Sequence, residues 1–353
     1  MRNRMFAVLW LSVSLLSCQK PPHTAARAGG DSRQGERTAM NITDITEADE
    51  CKPLVLQRAD PYVYYHTDGY YYFTASAPEY DRIELRRAWS VKALGDAEPV
   101  TIWRKHAEGP MSWHIWAPEL HYIDGAWYIY FAAGKAEDVW NIRTYVLKNT
   151  SRDPFCGSWE ECGRLLSEWD SFMLDCTVFE NRGSWYAVWA QSEQTPQGNS
   201  SLYIARMASP TQLELPQTLL TRPEYDWECK GFKVNEGPAV LQRNGKLFLT
   251  YSASATDATY CMGMLTAEDG ADLLNAASWK KSDKPVMQTD EKKGIYGPGH
   301  NSFTTNRSRT EDYLIYHARP YAEVDLKFAL YDPNRHAWVR KIRYDASGNP
   351  LFE

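Results

Sequence analysis

An all-β architecture, a five-bladed β-propeller, is predicted by three features of the chain. After residue 50 it carries little that reads as a long amphipathic helix. Short runs rich in Tyr, Trp, Val and Ile alternate with Gly, Asp and Asn turns. One pattern, strand, tight turn, aromatic-rich strand, returns five times: DPYVYYHTDGYYYFTAS from Asp60, WAPELHYIDGAWYIYFAA from Trp116, DCTVFENRGSWYAVWAQ from Asp175, EGPAVLQRNGKLFLTYSAS from Glu236 and HNSFTTNRSRTEDYLIYHA from His300. A two-sheet sandwich is the competing architecture, but it gives no reason for five similar hairpins at near-constant spacing.

The elements follow in chain order. Two arginines and an apolar run from Met5 to about Leu16 form a stretch too short to span a bilayer, so residues 1–18 read as a signal peptide. Leu15-Leu16-Ser17-Cys18 resembles the bacterial lipoprotein processing box, in which Cys18 becomes the lipidated first residue; ordinary secretion is the alternative. The lipoprotein reading places the protein at the bacterial outer membrane, and the alternative leaves it periplasmic or secreted. Residues 19–45 are polar, lack an apolar period and read as a flexible tether. Residues 46–353 form one propeller domain, its size permitted because each blade packs on its neighbours and no single core has to grow.

In the first four repeats the turn glycines are Gly69, Gly125, Gly183 and Gly245, at intervals of 56, 58 and 62 residues. The fifth repeat lacks the glycine and has a longer polar turn ending at Glu311-Asp312. Counted back from its glycine, Asp60 lies nine residues away, Trp116 nine, Asp175 eight and Glu236 nine; His300 opens the fifth copy. The starts of the five innermost strands converge at one end of a propeller axis, so three acids, a Trp and a His are expected in one pocket. Any one acid at a strand start is ordinary turn chemistry, and Gly237-Pro238 after Glu236 suits a turn. Three acids recurring in register are harder to explain that way.

Crowded carboxylates cannot all ionise cheaply, so one stays protonated beside an ionised partner. That pairing is what glycoside hydrolysis requires, one acid protonating the leaving oxygen and one base activating water. Hard-cation binding is the competing chemistry for Asp, Glu and His. A net charge of −6 with interspersed signs argues against a nucleic-acid footprint. The 14 Trp and 22 Tyr hint mildly at stacking surfaces for a sugar or planar ligand. Export permits disulfides. Cys156 and Cys162 flank a short loop a bridge could close, Cys229–Cys261 is a weaker pairing, and Cys176 reads as a buried thiol. Paired CxxC spacing, the mark of a zinc site, is missing.

The segments RADPYVYYHTDGYYYFTASAPEYDRIELRRA, WAPEL, LDCTVF, NEGPAVL, GPGHNSF and YHARPY together resemble glycoside hydrolase family 43, and within it the exo-acting α-L-arabinofuranosidases that trim arabinan. The resemblance runs from about residue 50 to the C-terminal IRYDASGNPLF. It implies a five-bladed propeller, an inverting reaction and no required cofactor. It also implies roles: Asp60 the general base, Glu236 the general acid, Asp175 the residue that tunes and orients. Inversion implies roughly 6.5–9.5 Å between acid and base carboxyls. His300 matches a family histidine on the central axis, near a structural calcium or other cation, or else simply hydrogen-bonded in the channel. Arg319 looks like the family arginine that reaches substrate hydroxyls. Trp116 is a sugar-facing wall or a Trp between blades, and Glu119 is structural. Arg82 and Tyr80 are candidates for the pocket's floor and wall. The implied substrate is arabinan or an arabinose-containing oligosaccharide, acted on by a monomer that meets the membrane only through its N-terminal anchor. A β-xylosidase, an arabinoxylan-debranching arabinofuranosidase or a non-catalytic glycan-binding propeller are the alternatives.

Overall fold

The computed structural model describes residues 45–193, 199–325, 327 and 329–352; the stretch expected to be a signal peptide, Cys18 and nearly all of the stretch expected to be a tether lie outside them. Blade 1 comprises β1 (Ala59–Tyr65), β2 (Tyr71–Ser76), β3 (Arg82–Ala88) and β4 (Val100–Arg104). Blade 2 comprises β5 (Pro110–Ile123), β6 (Ala126–Lys135), β7 (Asp138–Asn149) and β8 (Glu160–Arg164). Blade 3 holds β9 (Met173–Asn181), β10 (Ser184–Gln191), β11 (Ser201–Ser209) and the short β12 (Gln212–Leu213) and β13 (Thr218–Thr221). Blade 4 comprises β14 (Asn235–Arg243), β15 (Lys246–Ala253), β16 (Cys261–Glu268) and β17 (Lys280–Lys281). Blade 5 has β18 (Tyr296–Thr305), β19 (Asp312–Arg319) and β20 (His336–Lys341), followed by a small hairpin of β21 (Arg343–Tyr344) and β22 (Pro350–Leu351). The sandwich alternative is excluded, because the repeats form separate antiparallel sheets.

The inner strands β1, β5, β9, β14 and β18 each touch the inner strands of their two neighbours, in a closed ring. Apolar side chains fill the spaces between blades. Phe73 and Val63 of blade 1, for example, pack with Ile315 and Val339 of blade 5, and Val188 and Leu202 of blade 3 with Leu249 and Leu265 of blade 4. Burial is thus distributed over interfaces, which is why 300 residues need no thick core. The ring closes by pairing distant parts of the chain. Val55 bridges to Ala337 of β20, through Leu54 N–H to Ala337 O at 2.8 Å and Ala337 N–H to Val55 O at 2.9 Å.

Among the described residues the structure contains no disulfide, so the Cys156–Cys162 and Cys229–Cys261 bridges expected from sequence are not formed. Cys229 and Cys261 instead approach separate carbonyls, Pro223 O and Trp227 O. Cys176 is buried, as expected.

Each inner strand carries a β-bulge, near its start in four blades and midway along β5. The ladders slip at Ala59/Tyr62, Trp116/Glu119, Glu236/Ala239 and Gly299/Ser302, and on β9's partner between Val188 and Ala190. One residue in each bulge has left-handed backbone: Asp60 (φ 55°), Ala117 (46°), Asp175 (53°), Gly237 (54°) and His300 (43°). A bulge twists the strand sharply and breaks the alternation of faces. These five residues are the true structural equivalents, which corrects the register inferred from the turn glycines. Trp116 and Glu236 stand one position earlier. The miscount arises in the hairpins. Gly125, Gly183 and Gly245 end two-residue turns, whereas Gly69 ends a longer loop inside the His66–Tyr70 pair.

Candidate active site

The bulges place their side chains in one cavity of about 420 Å³ at the end of the ring where the inner strands begin. Asp60, Trp116, Asp175, Glu236 and His300, one from each inner strand, all line it. So do Tyr260 and Arg335, and the half-exposed rim of Trp140, Phe232 and Tyr331. Leu174 and Asp175 are consecutive yet both face the cavity, as a bulge allows.

The bulge also explains why blade 4 carries its acid at 236. A Cβ at Gly237 would lie 3.0–3.3 Å from the His300 ring and Cα, and its φ is left-handed. A side chain there would press on the His300 ring in a backbone conformation that glycine adopts without strain. The Gly237 N–H donates to Asp175 Oδ2 at 3.0 Å. The carboxyl is therefore displaced one residue back, onto Glu236, whose longer stem also reaches the cavity.

The three carboxyls have unequal surroundings. Asp60 is buried, which alone would raise its pKa, but His300, Arg335 and His317 around it hold the carboxyl well below the usual range. Burial keeps both imidazoles largely neutral, His317 down at about 3. The lasting charge beside Asp60 is therefore the buried Arg335 guanidinium, with Nη1 3.6 Å from Oδ1. Ser76 Oγ donates to Oδ2 at 2.5 Å, and His317 Nδ1 accepts the Asp60 backbone N–H at 3.1 Å. His300 Nδ1 stands 3.3 Å from Asp60 Oδ1 and 3.8 Å from Asp175 Oδ2, bridging the two acids.

Burial raises the Glu236 pKa to about 7; a hydrogen bond from Tyr260 opposes this, the Asp60 charge adds to it, and the Arg335 charge draws it down. Asp175 is also raised, by burial and by the charges of Glu236 and Asp60. Glu236 and Asp175 titrate as a pair that retains a proton near neutral pH, while Asp60 stays ionised.

Other residues fall differently. Arg319 does not line the cavity. Its buried guanidinium donates to Asp332 at 2.7 Å, Thr256 O at 2.6 Å and Ala329 O at 2.5 Å, pinning the segment before β20. Arg82 is also outside the lining, held by Glu79, Asp81 and Glu84. Tyr80 sits behind the wall, edge-on to Trp116 at 5.7 Å, and accepts Arg335 Nη2 at 2.8 Å. Glu119 is buried and pairs with His121 at 3.0 Å. Trp116 is both wall and core: it faces the cavity and stacks on His114 at 4.2 Å. Sequence reasoning missed Arg335, in NRHAWV ahead of β20, and Tyr260, ahead of β16. Neither lies in a recurring position of the repeat.

His300 lies on the channel wall between two acids. Its Nδ1 faces the carboxylates already described, and among the described residues no group of three His, Cys, Asp or Glu is arranged to hold a metal. No step below uses one.

Residues 52–350 match the family description "Glycosyl hydrolases family 43". The chain belongs to family 43 of the glycosyl hydrolases. Among family 43 relatives, an extracellular exo-α-(1→5)-L-arabinofuranosidase of Streptomyces avermitilis is 48% identical over 349 residues, 99% of this chain and 69% of that one. Another protein of that name, from Streptomyces chartreusis, is 55% identical over 77% of this chain and 83% of its own length. A crystal structure of an α-L-arabinofuranosidase from Lactobacillus brevis superposes with a TM-score of 0.84 at 50% identity, covering 88% of this chain and 98% of that one.

Proposed function

We propose that the protein is an exported, inverting exo-α-L-arabinofuranosidase that releases arabinose from the non-reducing end of α-1,5-linked arabinan or its oligosaccharides. The reading is carried by one observation: three carboxyls from three blades meet in one cavity with opposite ionisation, Asp60 charged and Glu236 raised to about 7. Names of family 43 relatives at 48–55% identity supply the sugar and the exo mode.

In this mechanism Asp60 takes a proton from a water that attacks the anomeric carbon. Glu236 gives its proton to the departing glycosidic oxygen, so the chain leaves as a neutral alcohol. Asp175, held by Gly237 N–H, keeps the pair's shared proton available to Glu236 and fixes the backbone beside it. His300 orients both Asp60 and Asp175. Two buried donors on cavity-lining residues, Trp116 Nε1 and Arg335 Nε, have no partner among the described residues.

Linear arabinan digested with the protein should yield arabinose alone, and proton NMR should first show the anomer opposite to the substrate's. Arabino-oligosaccharides from internal cuts, xylose from xylo-oligosaccharides at a higher rate, or binding without release would each overturn the reading. Export and lipidation at Cys18 rest on the N-terminal sequence, and two relatives carry "extracellular" in their names. Cys18→Ala should release the protein from membranes if the anchor is used.

A further inference from the structure

The Gly297-Pro298-Gly299 run before His300 has a packing cause. A Cβ at Gly299 would lie 2.4 and 2.6 Å from the Tyr260 ring and 2.8 Å from Ser252 Oγ. One at Gly297 (φ 58°) would strike Asp257 O at 2.2 Å and approach Tyr260 Cβ at 3.5 Å. Gly299 thus makes room for one fully buried tyrosine and Gly297 for the Asp257 carbonyl beside it; the tyrosine also lies flat on His317 with ring centroids 5.5 Å apart and planes 11° from parallel. Rings and backbone fix Tyr260 on several sides, and its hydroxyl donates to Glu236 Oε1 at 2.8 Å.

We infer that Tyr260 is the positioning residue for the proton donor: by occupying Oε1 of Glu236 it places the transferable proton on Oε2 and steadies the carboxylate left behind. The inference rests on the assignment of Glu236 as the acid. A neutral carboxyl has one carbonyl oxygen and one hydroxyl oxygen, and a donor on Oε1 makes Oε1 the carbonyl. The Oε2–H bond breaks as the glycosidic oxygen gains that proton. The negative charge on Glu236 is then met by the same tyrosine O–H, which keeps its own proton. Burial and the Glu236 charge hold the phenol well above its ordinary pKa, so it donates a hydrogen bond without giving up the proton. Ser252 Oγ, packed beside Gly299 and Tyr260, accepts the His300 N–H at 2.7 Å and ties this region to the fifth blade.

The test is Tyr260→Phe, which keeps the ring and its packing. Its kcat on arabinan should fall about tenfold, while an aryl arabinofuranoside with a good leaving group, which needs little protonation, should be cleaved at nearly the native rate. The alkaline limb of the arabinan pH profile should move up by about one pH unit, because a hydrogen bond to the ionised carboxyl has been removed. In a Glu236→Gln background the same substitution should add nothing. An unmoved limb, equal losses on both substrates, or a full additional loss in the Glu236→Gln background would overturn the inference, and a variant that merely loosens the fold gives the second of these. If the native protein releases no arabinose, the assignment of Glu236 fails as well.

Discussion

Blade 1 and blade 4 offer the cavity one carboxyl each, from equivalent bulges, and the surroundings make opposite use of them. Asp60 stands among a permanent cation, a serine hydroxyl and two imidazoles. Glu236 accepts from the Tyr260 phenol, and burial and the Asp60 charge outweigh the pull of the same cation, Arg335. Strand position brings both groups to the cavity; the residues behind them decide which one carries a proton.

The widest separation of the two should come from truncating each. Asp60→Ala should reduce cleavage of arabinan and of an activated aryl arabinofuranoside alike, by about 10⁴-fold, because both need the attacking water deprotonated. Glu236→Ala should cost about 10³-fold on arabinan and far less on the aryl substrate. Equal profiles for the two variants would erase the distinction.

Removing the cation tests its cause. In Arg335→Met the Asp60 pKa should rise, so the acid limb of kcat/KM should shift to higher pH. Unpairing a buried carboxylate should also lower stability by about 3–5 kcal/mol, read by denaturant unfolding at neutral pH.

The opposite sign should appear at Glu236. Its folded pKa is raised from 4.5 to about 7, so its contribution to stability is fully present below about pH 4.5 and is lost as pH rises through about 7. Glu236→Gln does not titrate, so its Tm should exceed the native value by a few degrees at pH 8, with the gap narrowing toward pH 4.5. Smallest of all should be Arg82→Ala. With its guanidinium outside the cavity, kcat/KM should stay within about twofold of native.

The repeat was readable because each blade must restart the same hairpin, and its turns leave glycines at regular intervals. The three acids were readable for the same reason. The one-residue offset of Trp116 and Glu236 was not, since a bulge leaves no sequence mark except the glycine at 237, which also suits a turn. Arg319 and Arg335 show a second limit. Both are buried arginines in blade 5, and only three-dimensional placement tells that one grips Asp332 and the other faces Asp60. Tyr260 was hidden because its partner lies in a different strand.

The clasp between Val55 and Ala337 has a temporal consequence. A chain that emerges amino end first presents Asp60 long before Arg335 and His317 exist to meet it. Until the last blade arrives, the first packs on the second alone, and Asp60 lacks the Arg335, His317 and His300 side chains that later surround it. The hydrolytic centre therefore comes into being in the same event that locks the ring, so a prematurely terminated chain would be both unlatched and inert.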